Sequence, residues 1–271
     1  METEIRTWRI WAITWTTQPR SEAGGISFIR AGTGSRLYLV HGVGLRAEAW
    51  MAQVNKLSAT QHCRAFDLPG HGASRALPRP ATLAQYTDCI AAAIDAPGVV
   101  AGHSMGAMIT LDLAIRHPHL VKGVAALNAI YRRSPKAAEA VRRRAADLSA
   151  TEPADPETTL ARWFAGQDTA ERRACRAWLA EVSAEHYKTA YEVFAAENGP
   201  ADADLARLSC PALFMTGGAE PNSTPGMSEA MARIAPNGRA VIVERAAHMM
   251  PMTHAGDVNA ELADLVREAF R

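Results

Sequence analysis

Cysteine is scarce in this chain. Its 271 residues include four, Cys63, Cys89, Cys175 and Cys210, far apart and none in a CxxC or Cys/His cluster. That spacing argues against a zinc site and against a small disulfide framework, and the four read as reduced thiols of a cytoplasmic protein. An excess of one charge is lacking too. Lysine plus arginine number 29 against 28 aspartates and glutamates, a formal net charge of +1. Nothing in that balance draws the chain to nucleic acid or to an anionic membrane. No apolar run approaches the roughly 18 residues that a bilayer-spanning helix needs. The opening METEIRTWR carries two acids and two arginines, and the apolar stretch behind it is short and broken at Thr14. A secretory signal is not expected there. Internal repeats and low-complexity tracts are absent as well.

What remains has globular proportions, 48% apolar and 21% charged. At about 150 residues per domain the length allows one or two domains. A folded chain of this size buries about three quarters of its unfolded surface and needs no metal or disulfide to hold it together. Residues 5–16 and Ile26–Arg30, joined around Gly24-Gly25, predict an opening antiparallel hairpin. Short apolar runs at Leu37–Val40, Cys63–Phe66, Gly98–Ala101, Gly123–Leu127, Ala212–Met215 and Arg239–Val243 predict strands. Helix-like stretches such as 82–95 and 105–117 lie between them, and that alternation predicts an α/β fold, a mainly parallel sheet covered on both faces. Val258, Leu262, Leu265, Val266 and Ala269 recur at helical spacing, as in a closing helix packed on the sheet.

The alternation breaks between Tyr131 and Gly199. Helix-period stretches at 134–148, 157–165, 169–182 and 185–197 are separated by Pro153, Pro156 and Gly166, with no strand pattern. A connection that long carries its own structure. The division expected is a core of residues 1–130 and 200–271 with a helical lid, 131–199, inserted in it.

The segment richest in chemistry is Gly102-His103-Ser104-Met105-Gly106, with a β-branched run before it and a helix-forming run after it. A serine on such a tight strand-to-helix turn is lifted clear of the sheet, and the helix N-terminus beneath it offers backbone N–H groups to a developing oxyanion. A serine hydroxyl needs a base to take its proton and a carboxylate to orient that base. His248 lies just past the last expected strand, at the sheet edge that displays Ser104. Glu220 follows the strand before it, which gives the chain order Ser, acid, His.

Five segments together resemble the α/β-hydrolase fold of Ser-His-acid type: His41-Gly42-Val43-Gly44, Asp67-Leu68-Pro69-Gly70-His71-Gly72-Ala73-Ser74, the Ser104 turn, Thr216-Gly217-Gly218-Ala219-Glu220 and Ala247-His248-Met249-Met250-Pro251. The resemblance runs from about residue 20 to the C-terminus. It implies that the N–H groups of Val43 and Met105 form the oxyanion hole, and that neither a cofactor nor a metal is needed. The family more often carries Asp where Glu220 stands. Another position that sometimes holds the acid is Asn128, which cannot be charged. A serine at the turn also argues against the dehalogenase and epoxide hydrolase chemistry that uses aspartate there.

The other polar residues have plainer readings. His41, His71 and His103 read as structural, and His117 and His119 as a helix end. Arg132, Arg133, Lys136, Arg142, Arg143 and Arg144 read as a solvated helical face in preference to a site for an acidic substrate or a CoA tail. Trp163, Phe164, Trp178, Tyr187 and Phe194 read as the lid's core and underside. Trp8, Trp11 and Trp15 would cover the sheet edge or make a dimer contact, so a homodimer stays open. The function expected is a cofactor-free serine hydrolase that cleaves a small-molecule ester, lactone or thioester. The alternatives are C–C bond hydrolysis, a non-catalytic ligand-binding relative, and cofactor-free oxygenase or perhydrolase chemistry.

Overall fold

The computed structural model describes Trp15, residues 17–164 and residues 166–271. Eight strands form one sheet: β1 Ser21–Ala23, β2 Ile26–Ala31, β3 Ser35–Val40, β4 Gln61–Phe66, β5 Gly98–His103, β6 Val121–Leu127, β7 Ala212–Gly217 and β8 Gly238–Val243. Their order is β1-β2-β4-β3-β5-β6-β7-β8. The pairings β1/β2 and β2/β4 are antiparallel, and all others are parallel.

Each central strand alternates its side chains between two apolar layers. Leu37 and Leu39 of β3 face one layer, with Cys63, Ala101 and Met215; Tyr38 and Val40 face the other, with Phe66, Val100 and Phe214. A strand buried on both faces must be apolar throughout, which is why β5 and β7 are buried at every position. The helices α1 (Met51–Leu57), α2 (Leu83–Ala93) and α3 (Met105–Arg116) fill the connections as far as β6. The chain closes on α11 (Ala255–Ala269), which buries Val258, Leu262, Leu265 and Val266 against the first layer. The expected α/β-hydrolase fold, a mostly parallel sheet flanked by helices, is thus what the chain adopts.

The hairpin differs in detail. Its turn is at Gly24-Gly25, but the strand that pairs with β2 is the short β1, with Ser21 opposite Phe28. The strand expected at 5–16 lies outside the described residues, Trp15 excepted. Trp15 meets Trp178 edge-to-face at 6.3 Å. Trp8 and Trp11 lie outside the described residues.

Between β6 and β7 run α4 (Pro135–Asp147), α5 (Pro156–Phe164), α6 (Ala170–Glu181) and α7 (Ala184–Ala196). Proline opens α4 and α5, where its missing N–H costs nothing, and Ser134 and Thr169 cap α4 and α6 by accepting the Ala137 and Arg172 N–H groups. Helix α8 (Asp202–Leu205) leads into β7, α9 (Pro225–Ile234) joins β7 to β8, and α10 (Met250–Thr253) precedes α11.

A buried ion network braces the loop after β3. Arg20 reaches Glu48 at 2.7 Å and Asp67 at 2.9 Å, and both carboxylates are fully enclosed. Asp67 also accepts the Ala47 and Ala73 N–H groups, at 2.8 and 3.1 Å. Among the described residues the four cysteines are free thiols, and no helix is long and apolar enough to cross a membrane.

Candidate active site

Three strand ends converge. Ser104 follows β5, Asn128 follows β6 and Glu220 lies three residues past β7, all at the carboxyl edge, where ligands of open α/β sheets bind. Ser104 has φ +57° and ψ −118°, a strained conformation for a residue with a side chain. Its N–H donates to the Leu127 carbonyl at 2.9 Å. The flanking glycines are steric necessities, since a β-carbon on Gly102 would lie 2.0 Å from the Gly106 carbonyl oxygen.

His248 sits in the loop after β8, and its Nδ1 is 2.7 Å from Glu220 Oε2. An ionised carboxylate can only accept, so Nδ1 carries a proton, which leaves Nε2 as the nitrogen that can exchange one. Glu220 Oε1 takes the N–H groups of Asn222 at 2.8 Å and Ser223 at 3.4 Å, and Oε2 takes Asn128 Nδ2 at 3.4 Å. Burial alone would raise the Glu220 pKa. The His248 charge and hydrogen bond and the two backbone N–H groups outweigh it and hold the carboxyl at about 2.

Two further contacts fix His248. His103 donates its Nε2–H to the His248 carbonyl at 2.7 Å, and burial, then the neighbouring His248, lower the His103 pKa to about 3. From α5, Trp163 stacks on the His248 ring, centroids 5.6 Å apart and planes 24° apart.

The segment from His41 to Gly44 approaches Ser104 so closely that a β-carbon on Gly42 would lie 3.0 Å from Ser104 Cβ and 3.4 Å from Oγ. Buried histidines hold this segment. The Leu68 N–H donates to His41 Nε2 at 3.0 Å, and the Gly44 N–H donates to His71 Nε2 at 3.0 Å. Burial pushes the His41 pKa well down and that of His71 to about 4, so both rings stay neutral and keep an acceptor nitrogen. Their structural reading fits this geometry. Val43 stands on the cavity wall beside Gly42, and Met105, fully buried, opens α3 directly after Ser104.

Ser104, His248, Val43 and Asn128 line one cavity of about 340 Å³. Its far side is built by α4, α5 and α7, with Trp163, Tyr187, Tyr191 and Phe194 among the lining. Arg133, Arg144 and Arg162 line it as well, and among the described residues no aspartate or glutamate does. Arg133 is spent on neighbours: it donates to the Phe194 and Glu197 carbonyls and stacks on the Phe194 ring, while burial lowers its pKa to about 10. Arg144 donates to the Tyr191 hydroxyl at 2.9 Å and Arg162 to Thr159 Oγ1 at 3.4 Å. Burial, and then the positive charge of Arg144, lower the Arg162 pKa. The reading of these basic residues as a solvated face holds for Arg132 and Arg142, which pair with Asp202 and Glu139 outside. It does not hold for Arg133, which is buried; Arg144 is solvent-exposed and also lines the cavity.

Of the site residues expected from sequence, Ser104, His248 and Val43 line one cavity, Glu220 lies behind His248, and Met105 follows Ser104 without being part of the lining. Arg162, Tyr191 and the donor role of Asn128 went unnoticed. A signal for the arginines existed. Ala137, Ala140, Val141 and Arg144 share one face of α4, and Thr159, Arg162 and Trp163 one face of α5, so each arginine interrupts an inward-facing stripe.

Fold and cavity together define an α/β hydrolase. Residues 37–261 match the model of the alpha/beta hydrolase family, and the chain belongs to that family. It is 40% identical over 239 residues to the (E)-2-((N-methylformamido)methylene)succinate hydrolase of Acinetobacter baylyi, covering 86% of this chain and 90% of that one. The pimeloyl-[acyl-carrier protein] methyl ester esterase of Neisseria meningitidis serogroup B is 29% identical over 253 residues, covering 87% and 94%. Among solved structures, a malate-bound thermophilic esterase from Thermogutta terrifontis superposes with a TM-score of 0.82 at 26% identity, covering 93% of this chain and 99% of that one.

Proposed function

We propose that this chain is a serine hydrolase that cleaves an acyl bond, ester or closely related, in a small carboxylate-bearing substrate. The observation that carries the chemistry is the buried Glu220 fixing the His248 tautomer, with Ser104 on its strained turn in the same cavity. Ser104 Oγ attacks the carbonyl carbon while His248 Nε2 takes its proton, and the Val43 and Met105 N–H groups receive the oxyanion. The tetrahedral intermediate collapses to an acyl-enzyme as His248 returns the proton to the leaving group. Water, deprotonated by His248, then releases the acid and frees Ser104. Glu220 stays ionised throughout and stabilises the imidazolium. Helices α4–α7 act as a lid that supplies the substrate-facing wall.

The substrate class rests on charge. Arg144 and Arg162 face the cavity with only neutral hydrogen-bonding partners among the described residues, and burial, then the charge of Arg144, lowers the Arg162 pKa. Arg162 is half-buried and Arg144 exposed, so together they offer a carboxylate two charged donors beside an apolar wall. The succinate named for the Acinetobacter relative and the malate in the Thermogutta esterase agree with that class.

The test is the hydrolysis of mono-p-nitrophenyl succinate against p-nitrophenyl butyrate, a neutral ester of matched length. The succinate ester should have the higher kcat/KM. Arg144→Ala and Arg162→Ala should each cut that preference about tenfold, the worth of one charge-assisted hydrogen bond. Ser104→Ala should end both reactions. A preference for butyrate would overturn the anion reading, and turnover by Ser104→Ala would overturn the nucleophile.

A further inference from the structure

The triad reading gives Asn128 no part, yet its side chain touches the acid. We propose that Asn128 is a positioning residue for Glu220: its amide nitrogen fixes the carboxylate oxygen that faces His248. The inference rests on the Ser104–His248–Glu220 reading above.

Asn128 Nδ2 donates to Glu220 Oε2 at 3.4 Å, the same oxygen that takes His248 Nδ1–H at 2.7 Å. It also donates to Thr216 Oγ1 at 3.2 Å. The Thr216 hydroxyl hydrogen is already committed to the Ser223 carbonyl at 2.6 Å, so Thr216 Oγ1 can only accept here. The ionised Glu220 can only accept as well. Both neighbours therefore demand the amide nitrogen, which sets the orientation of the group without ambiguity between N and O.

That orientation carries a penalty. Asn128 is 1% exposed, and its Oδ1 is buried with no hydrogen-bond partner among the described residues. Its backbone is held at φ +53°, a conformation asparagine tolerates better than other side chains do. The backbone does not explain the orphan acceptor, which glycine, equally at ease there, would not leave. The donor is what asparagine adds. With Asn222 and Ser223 on Oε1, and His248 and Asn128 on Oε2, each carboxylate oxygen is held from two sides. Glu220 cannot turn from the ring when His248 becomes charged. The extra methylene of glutamate over aspartate adds a rotatable bond to this acid, and Asn128 restrains the end that the bond would free.

The pH dependence of Ser104 labelling by a fluorophosphonate distinguishes positioning from packing. Labelling requires neutral His248 and falls on the acid side. In Asn128→Asp a second carboxylate replaces the donor, stabilises the imidazolium, and should move the acid limb up by about one pH unit. Asn128→Leu removes the donor without adding charge, leaves Glu220 a stronger acceptor, and should move the limb up by about half a unit with a several-fold slower plateau. Melting temperatures confirm that each variant is folded; the leucine variant keeps the test open should the aspartate variant not fold. A folded variant that labels more slowly but keeps the wild-type limb overturns the proposal and leaves the triad standing. A wild type that takes no label on Ser104, or that shows no acid limb, overturns the triad reading and this inference with it.

Discussion

At the residue scale, the geometry around His248 makes Glu220 the side chain whose charge matters most. Its carboxylate accepts four hydrogen bonds, and its pKa of about 2 keeps it ionised wherever the protein is folded. Glu220→Gln removes the charge and turns one accepting oxygen into a donor that faces two N–H groups. Turnover of the succinate ester should fall about a thousandfold or more in a protein that still folds, with a lowered melting temperature. Full activity in that variant would mean that the working acid lies elsewhere. The placement of Ser104, His248 and Glu220 was legible in the sequence because each follows a strand at the sheet's carboxyl edge. Asn128 was legible only as a residue without charge. Its contribution is the direction of one amide, which depends on Thr216 and Glu220 folding against it from another strand.

At the scale of elements, the turn after β4 carries an equally sharp expectation. Asp67 accepts two loop N–H groups and two bonds from Arg20, and Gly72 closes over it at φ +52°. A β-carbon on Gly72 would lie 2.2 Å from Asp67 Cγ. Gly72→Ala should therefore cost about 3 kcal/mol in urea unfolding, through both strain and displacement of the carboxylate. A loss within about 0.5 kcal/mol, the range of ordinary surface changes, would show that the turn yields easily. Strands β3, β5, β6 and β7 were readable because burial on both faces leaves continuous apolar runs. Strand β1 was not: three residues, SEA, have too little pattern to stand out from a turn. Helices α4–α7 were readable by period and by proline. Which of their faces turns toward the sheet is decided by packing between helices, so Arg144 and Arg162 could be counted but not placed.

At the scale of the whole molecule, three buried neutral histidines govern behaviour in acid. His41, His71 and His103 have folded pKa values below the ordinary value of about 6.5, at about 4 for His71 and about 3 for His103. The unfolded chain takes up these protons as pH falls through 6.5, and the folded one does not until about 4 and below. Between those limits the unfolded state binds more protons, so stability is present above pH 6.5 and drains away as the solution is acidified. Each such ring adds about 1.4 kcal/mol per pH unit to the slope. Glu220 adds to the loss below its ordinary range, since its folded pKa is about 2. Urea midpoints measured from pH 7 to pH 4.5 should fall steadily, with uptake approaching three protons on unfolding near pH 5. A flat profile across that range would mean that the rings are already protonated in the folded protein.

The most direct measurement is the intact mass of the protein after incubation with a fluorophosphonate, wild type beside Ser104→Ala. An activated serine on the turn after β5, served by His248 and Glu220, predicts one adduct per chain on the wild type and none on the variant. A folded wild type that gains no adduct, or an adduct that persists in Ser104→Ala, would contradict a nucleophile at Ser104.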